Sequence, residues 1–254
     1  MLSFIVKLPI FKRLIPSIGI RIFKLLKINK KFYKIGNIYM YLDFLDPVDR
    51  QIIINKKYEE DAVSFLEKEL NKNNFSNFLD IGANSGYFSF YFGSKFQNIK
   101  IKAFEPNVEA FEKFKITTKK NSFKNIKIFN FGLSDNKKKI NMITWYKHGH
   151  AKTNSIILEK SYDLRNSKIF EANLKIGDEI LNYHSKKICI KIDVEGHELN
   201  VLKGLSKNLK NNKCLVLIEV ANNKYKTVNN FFIQNNFKQV FKSKFRLDYI
   251  YSNL

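Results

Sequence analysis

From about residue 58 onward, apolar positions alternate between two rhythms. Runs of strand length at 78–81, 99–104, 126–131, 188–192 and 214–220 each stop at a turn. Between them apolar residues recur at helical spacing: Ala62, Val63, Phe65, Leu66 and Leu70; Val108, Phe111 and Phe114; Leu199, Leu202 and Leu205; Tyr225, Val228 and Phe232. Residues 87–92 open a further helix, and Glu59, Glu60 and Asp61 begin the first one, where carboxylates complement the helix dipole. The closing runs "FKQVF" and "RLDYIYS" are separated only by residues 242–245, too few for a helical crossover, so they must pair antiparallel. This order predicts a doubly wound α/β sheet, mostly parallel, with an antiparallel C-terminal strand.

Three stretches depart from the alternation. Residues 31–54, "KFYKIGNIYMYLDFLDPVDRQIII", read as short strands with a turn at Gly36-Asn37 and a break at Asp46-Pro47. Residues 133–187 hold one candidate strand, "KKINMITWY", and a helix start at "KIGDEIL", around a weakly periodic middle; a long irregular segment of this kind is often functional. The opening "MLSFIVKLPIFKRLIPSIGIRIFKLLKINK" is apolar but broken throughout by lysine and arginine, with Pro9 and Pro16 dividing any helix. It reads either as an amphipathic segment resting on an anionic membrane surface or as a helix packed on the protein's own flank. The chain thus divides into a basic arm with short strands (1–57) and an α/β domain (58–254).

With 44% hydrophobic and 15% aromatic residues, 254 residues suffice for a full core. Cys189 and Cys214 both lie in apolar runs, which fits buried thiols in a reducing, cytoplasmic compartment rather than a disulfide or zinc site. No apolar run is long enough to span a membrane. The formal charge of +22 raises nucleic acid as a partner. Nearly all of the excess is scattered lysine, however, and arginine, the residue suited to bidentate phosphate contacts, occurs only at Arg13, Arg21, Arg50, Arg165 and Arg246.

The first informative motif is "FLDIGANSGYFSF". A dinucleotide fingerprint needs a second glycine where this chain has Asn84, so a pyrophosphate could not approach the backbone closely. S-adenosylmethionine fits better: Asp80 can face its amine, and the turn formed by Gly82, Ala83, Asn84 and Gly86 can offer N–H groups to its carboxylate. In "AFEPN", Glu105 ends the second strand, where two carboxylate oxygens match two ribose hydroxyls, and Pro106 stiffens the turn. Gly132 and Leu133 in "NFGLSD" would flank the adenine, although Asn-x-Gly at a strand end is equally an ordinary turn.

The second motif is "KIDVEGHELNVLKG". Asp193, Glu195 and His197 gather at the end of the fourth strand, with Glu198 beside them and Glu219 ending the next strand. Methyl transfer to a hydroxyl requires a positioned nucleophile and removal of a proton, for which His197 has a suitable ordinary pKa. The alternative makes His197 a first-turn helix residue, with Asp193 and Glu198 as caps. Magnesium held by Asp193, Glu195 and Glu219 is chemically open but not expected.

These segments, with "YEED" at Tyr58 and "LIEV" at Leu217, resemble the FkbM family of S-adenosylmethionine-dependent methyltransferases, in order and spacing, over about residues 35–252. The run "DVEGHE" is the most specific. The resemblance implies a seven-stranded, Rossmann-like class I fold and O-methyl transfer to hydroxyls of sugars, glycans or natural products. It implies Asp80, Gly82, Asn84 and Gly86 at the methionine end, Glu105 at the ribose and Asp193 near the methyl group. The family's glycine- and serine-rich patch after the third strand appears here only loosely, as "GHAKTNSI". Two rivals stand beside it: an RNA or other nucleic-acid methyltransferase, and a non-catalytic membrane- or partner-binding module on the same fold.

Overall fold

The computed structural model describes residues 29–147, 150–156 and 167–254, together with Gly19. The expected amphipathic arm therefore lies outside the described residues apart from that glycine. The described chain begins with a hairpin, β1 (Lys30–Ile35) and β2 (Ile38–Asp43), and two helices, α1 (Pro47–Asn55) and α2 (Glu60–Lys72). Alternation then starts with β3 (Asn77–Ile81), α3 (Tyr87–Lys95), β4 (Lys100–Phe104), α4 (Val108–Asn121) and β5 (Ile126–Phe129). An excursion follows through β6 (Gly132–Ser134), β7 (Lys138–Lys147), β8 (His150–Ile156), β9 (Ser167–Ile176) and the one-turn α5 (Gly177–Ile180). The chain returns through β10 (Lys187–Ile192), α6 (Glu198–Gly204), α7 (Ser206–Asn211), β11 (Lys213–Glu219) and α8 (Asn222–Gln234), and closes with β12 (Lys238–Lys242) and β13 (Asp248–Ser252).

The main sheet has seven strands in the order β12-β13-β11-β10-β3-β4-β5. Strands β5, β4, β3, β10 and β11 run parallel, while β13 is antiparallel to both β11 and β12. This is the expected doubly wound sheet with a reversed C-terminal strand. Its order reverses between β3 and β10, so the crevice beyond their carboxyl ends is where such a sheet binds ligands.

Because successive strand residues face opposite sides, the two faces carry separate cores. Phe78, Phe90, Phe92, Ile101 and Phe114 fill one side, joined by Ile35, Met40 and Leu42 of the hairpin and Ile52 of α1. Leu79, Ile81, Phe104, Ile190, Val201, Val216, Phe232 and Tyr251 fill the other. The hairpin is sewn to α4 by hydrogen bonds from the Tyr39 and Tyr41 amides to Asn121 Oδ1 and Thr117 Oγ1, both 2.9 Å.

Two regions differ from the sequence expectation. The strands expected through residue 54 stop at Asp43; 47–55 is helix. Asp46 caps it by accepting from the Val48 and Asp49 amides, Pro47 occupies the first turn, and these local signals outweigh the strand preference of three successive isoleucines. The weakly periodic segment after β5 is a second, four-stranded sheet in the order β6-β9-β7-β8. In β9 only Ala172 and Leu174 are buried, so its two faces look nearly alike in sequence. Among the described residues no helix is long and apolar enough to cross a membrane.

Candidate functional site

The turn after β3 is fixed by contact between neighbouring strand ends. Gly82 has φ +77°, and a Cβ there would overlap the backbone carbonyl of Asp193, so β3 and β10 can approach this closely only with glycine. Asn84 also adopts a left-handed conformation, φ 49°, and its amide donates to Glu105 Oε2 at 2.8 Å. Gly86 packs against the rings of Phe90 and Phe114 and begins α3.

Glu105 is buried at the tip of β4. Its second oxygen accepts from the Asn107 amide at 2.8 Å, and desolvation pushes the carboxyl up to about 7 against those two hydrogen bonds. One lone pair on each oxygen remains. The carboxylate forms part of the wall of a cleft of about 890 Å³, counting its open mouth. Gly82, Asn84, Glu105, Pro106, Gly132, Leu133, Asp193, Glu195 and His197, all singled out from sequence, line this one cleft. The second sheet adds Met142, Thr144 and Leu174, and the start of α1 adds Asp46 and Val48. Gly132 allows close packing, since a Cβ there would press on Leu174.

Asp80 is placed differently from the expectation. Its side chain is fully buried and is not part of the cleft wall; Oδ2 accepts from Ser89 N at 3.1 Å and Ser89 Oγ at 2.6 Å, tying the strand to α3. Its other oxygen has no hydrogen bond and lies 3.9 Å from the ammonium of Lys191. Burial raises the Asp80 pKa, opposed by Lys191 and the Ser89 hydrogen bonds. The turn's donors are also spoken for: Gly82 and Ala83 donate to Phe104 O, Asn84 to Glu105 and Gly86 to Ala83 O.

Lys191, not among the residues expected from sequence, lies buried beside the cleft against Gly82 and Asp193. Its ammonium donates to Gly82 O at 2.7 Å and pairs with Asp193 at 3.1 Å, and these carboxylates keep it charged despite its burial. The clue was a lone charge inside the apolar run "ICIKI" of a central strand. Arg246 was another omission. It pairs with Glu59, Glu219 and Asp248 at 2.9–3.0 Å, while the oxygens of those three acids lie close enough together to share an ion. Among the described residues, the acids close enough to share an ion are thus Glu59, Glu219 and Asp248, and a guanidinium already bridges these three.

His197 is buried beside β6. Ser134 Oγ donates to Asp135 Oδ1 at 3.1 Å and so accepts from His197 Nε2, 2.9 Å away. Burial, with smaller contributions from Lys138 and Lys224, pulls its pKa down to about 4, leaving the ring neutral near pH 7. Glu198 accepts from the Gly196 amide just before the helix start, and no side chain caps this helix among the described residues. Glu195 is the contrasting group. It is exposed at the lip with φ 51° and, among the described residues, its carboxylate forms no hydrogen bond or ion pair; partial desolvation and then Asp193, Glu219 and Glu198 push it up to about 7.

A model of the methyltransferase FkbM domain matches residues 80–250. A search of curated proteins gave no match. Solved structures similar to the chain include a putative caffeoyl-CoA O-methyltransferase from Staphylococcus aureus, 13% identical with a TM-score of 0.48, covering 94% of this chain and 98% of that one. Another is the precorrin-6y C5,15-methyltransferase from Geobacter metallireducens GS-15, 11% identical with a TM-score of 0.45, covering 77% and 88%. With the family match spanning most of the α/β domain, and the sheet order and cleft agreeing with it, the chain belongs to the FkbM family of S-adenosylmethionine-dependent methyltransferases.

Proposed function

We propose that the protein methylates a hydroxyl of a sugar, glycan or other natural product. The observation that carries this reading is the unpaired carboxylate of Glu195, at the cleft lip beside Asp193, with a pKa near 7. A base titrating there can take a hydroxyl proton at neutral pH. His197 suits that task less well, because its Nε2 is engaged with Ser134 and its pKa is low.

The cleft fits the donor on its own chemistry. Glu105 keeps acceptor capacity for two vicinal hydroxyls, and Pro106, Leu133 and Leu174 give an apolar slot for a planar base. When bound, S-adenosylmethionine supplies an electrophilic methyl group on a sulfonium whose charge is lost on transfer. Asp193, held by Lys191 and only partly exposed, places negative charge at the junction of β3 and β10. Asp80 acts through Lys191 and α3 rather than by direct contact. The second sheet and the start of α1 complete the cleft wall.

Incubation with radiolabelled S-adenosylmethionine and neutral methyl glycosides, followed by mass spectrometry, tests the reading. An alkali-stable methyl ether on a hydroxyl supports it. Methylation of RNA at a base or ribose, with none on any glycoside, would contradict it.

A further inference from the structure

A second cavity, about 920 Å³ with its open mouth, adjoins the donor cleft, and the two share Val48, Asn84, Asp193 and Glu195. Its outer wall carries Tyr58, Tyr87, Glu219 and Arg246. The two cations that line it are already matched. Lys191 serves Asp193 and Asp80, while Arg246 serves Glu59, Glu219 and Asp248. Glu195 is then surplus negative charge, so the cavity is acidic inside a protein whose formal charge is +22. Carboxylates accept hydrogen bonds only, which favours a guest rich in O–H or N–H donors. The rings of Tyr58 and Tyr87, 5.9 Å apart and edge to face, give it an apolar flank.

We infer that this second cavity is the acceptor subsite, and that it takes an uncharged or cationic polyhydroxyl compound, such as a sugar or amino sugar, and turns away phosphate esters. The inference rests on the O-methyl transfer reading above and adds where the acceptor sits and what charge it carries. A phosphate would face Glu195, Asp193 and Glu219, while the two cations that line the cavity, Lys191 and Arg246, already pair with carboxylates, and like charges in such contact are strongly disfavoured. An acceptor there has Glu195 at the shared boundary with the donor cleft, as proton removal requires. The basic character of the whole molecule therefore does not extend to the place where chemistry occurs.

The test uses crystals of the full chain with S-adenosylhomocysteine, soaked separately with methyl α-D-glucopyranoside, D-glucosamine and D-glucose 1-phosphate. The glycoside or the amino sugar is expected in the second cavity with a hydroxyl near Glu195 or Glu219, and the phosphate ester is not. A companion variant, Gln51→Trp, fills the mouth from α1 without reaching the donor cleft. It should weaken sugar binding about ten-fold or more and leave S-adenosylhomocysteine affinity within about two-fold, the range of ordinary context effects. Nucleoside bound with no sugar in the second cavity, or the phosphate ester there instead, overturns the subsite alone. Sugar bound there but no methyl ether formed with S-adenosylmethionine overturns the O-methyl reading and leaves the subsite standing.

Discussion

Replacing Lys191 by methionine keeps a chain of similar length and removes one buried charge from between two carboxylates. The two partners respond differently. Asp193 is 26% exposed and can recruit water, whereas Asp80 is 1% exposed and cannot. Its remaining options are ionisation without a nearby cation or uptake of a proton. Protonating a group of ordinary pKa 3.8 at pH 7 costs about 4 kcal/mol, at 1.36 kcal/mol per pH unit, which sets the ceiling. The wild type already bears part of this cost, because burial raises Asp80 even beside Lys191. A loss of about 3 kcal/mol at pH 7 is therefore expected, at the low end for a broken buried pair. It should lower Tm by roughly 6–12 °C for a chain of this size.

The sign of the pH dependence follows from Asp80. Its folded pKa lies above its unfolded value, so protonation favours the folded state, and that advantage is lost as pH rises through the folded pKa. The variant raises the folded pKa further. Its deficit relative to wild type should therefore shrink as pH falls below 7. Urea unfolding followed by circular dichroism at several pH values measures this, and Lys191→Met/Asp80→Asn should regain most of the loss. A deficit equal at every pH, or no recovery in the double variant, would refute the charge argument and leave only packing.

Four further outcomes are expected. Glu105→Ala should weaken S-adenosylmethionine binding by about 1–3 kcal/mol in calorimetry; an unchanged affinity would remove Glu105 from the ribose position. Glu195→Gln should lower kcat by about 10²-fold or more, with cofactor affinity preserved. In the wild type kcat should fall as pH drops below about 7, where Glu195 takes up its proton, and the variant should lack that limb; a surviving limb points to another base. Gly82→Ala should abolish nucleoside binding, measured by calorimetry, because its Cβ would push β3 away from the Asp193 backbone; wild-type affinity would show that the strand ends tolerate separation.

The alternation of β3 to β5 and of β10, β11 and their helices was legible because each strand is an apolar run closed by a turn, and the motifs at their ends gather at one crevice. What stayed hidden has physical causes. The isoleucines of 52–54 carry the strand preference of branched side chains, and only the Asp46-Pro47 cap marks the helix. In β9 too few positions are buried to leave a period-two pattern. Asp80 ends a strand with protein on both sides, so sequence places it at the tip without saying whether its carboxylate turns to the cleft or to Ser89. Lysine usually reads as exposed, which concealed Lys191 although it is the cation that the buried acids require. Arg246 and Glu59 lie far apart in sequence, and only the pairing of β13 with β11 brings Arg246 to the acids of the second cavity.

Donor binding in the cleft depends on Glu105 holding the nucleoside of the methyl donor at the tip of β4. A crystal structure with S-adenosylhomocysteine addresses this most directly. It should show both ribose hydroxyls on the Glu105 carboxylate, the adenine between Leu133 and Pro106, and the sulfur toward Asp193 and Glu195. A nucleoside bound elsewhere, or a ribose that leaves Glu105 paired only with the Asn84 and Asn107 amides, would contradict it.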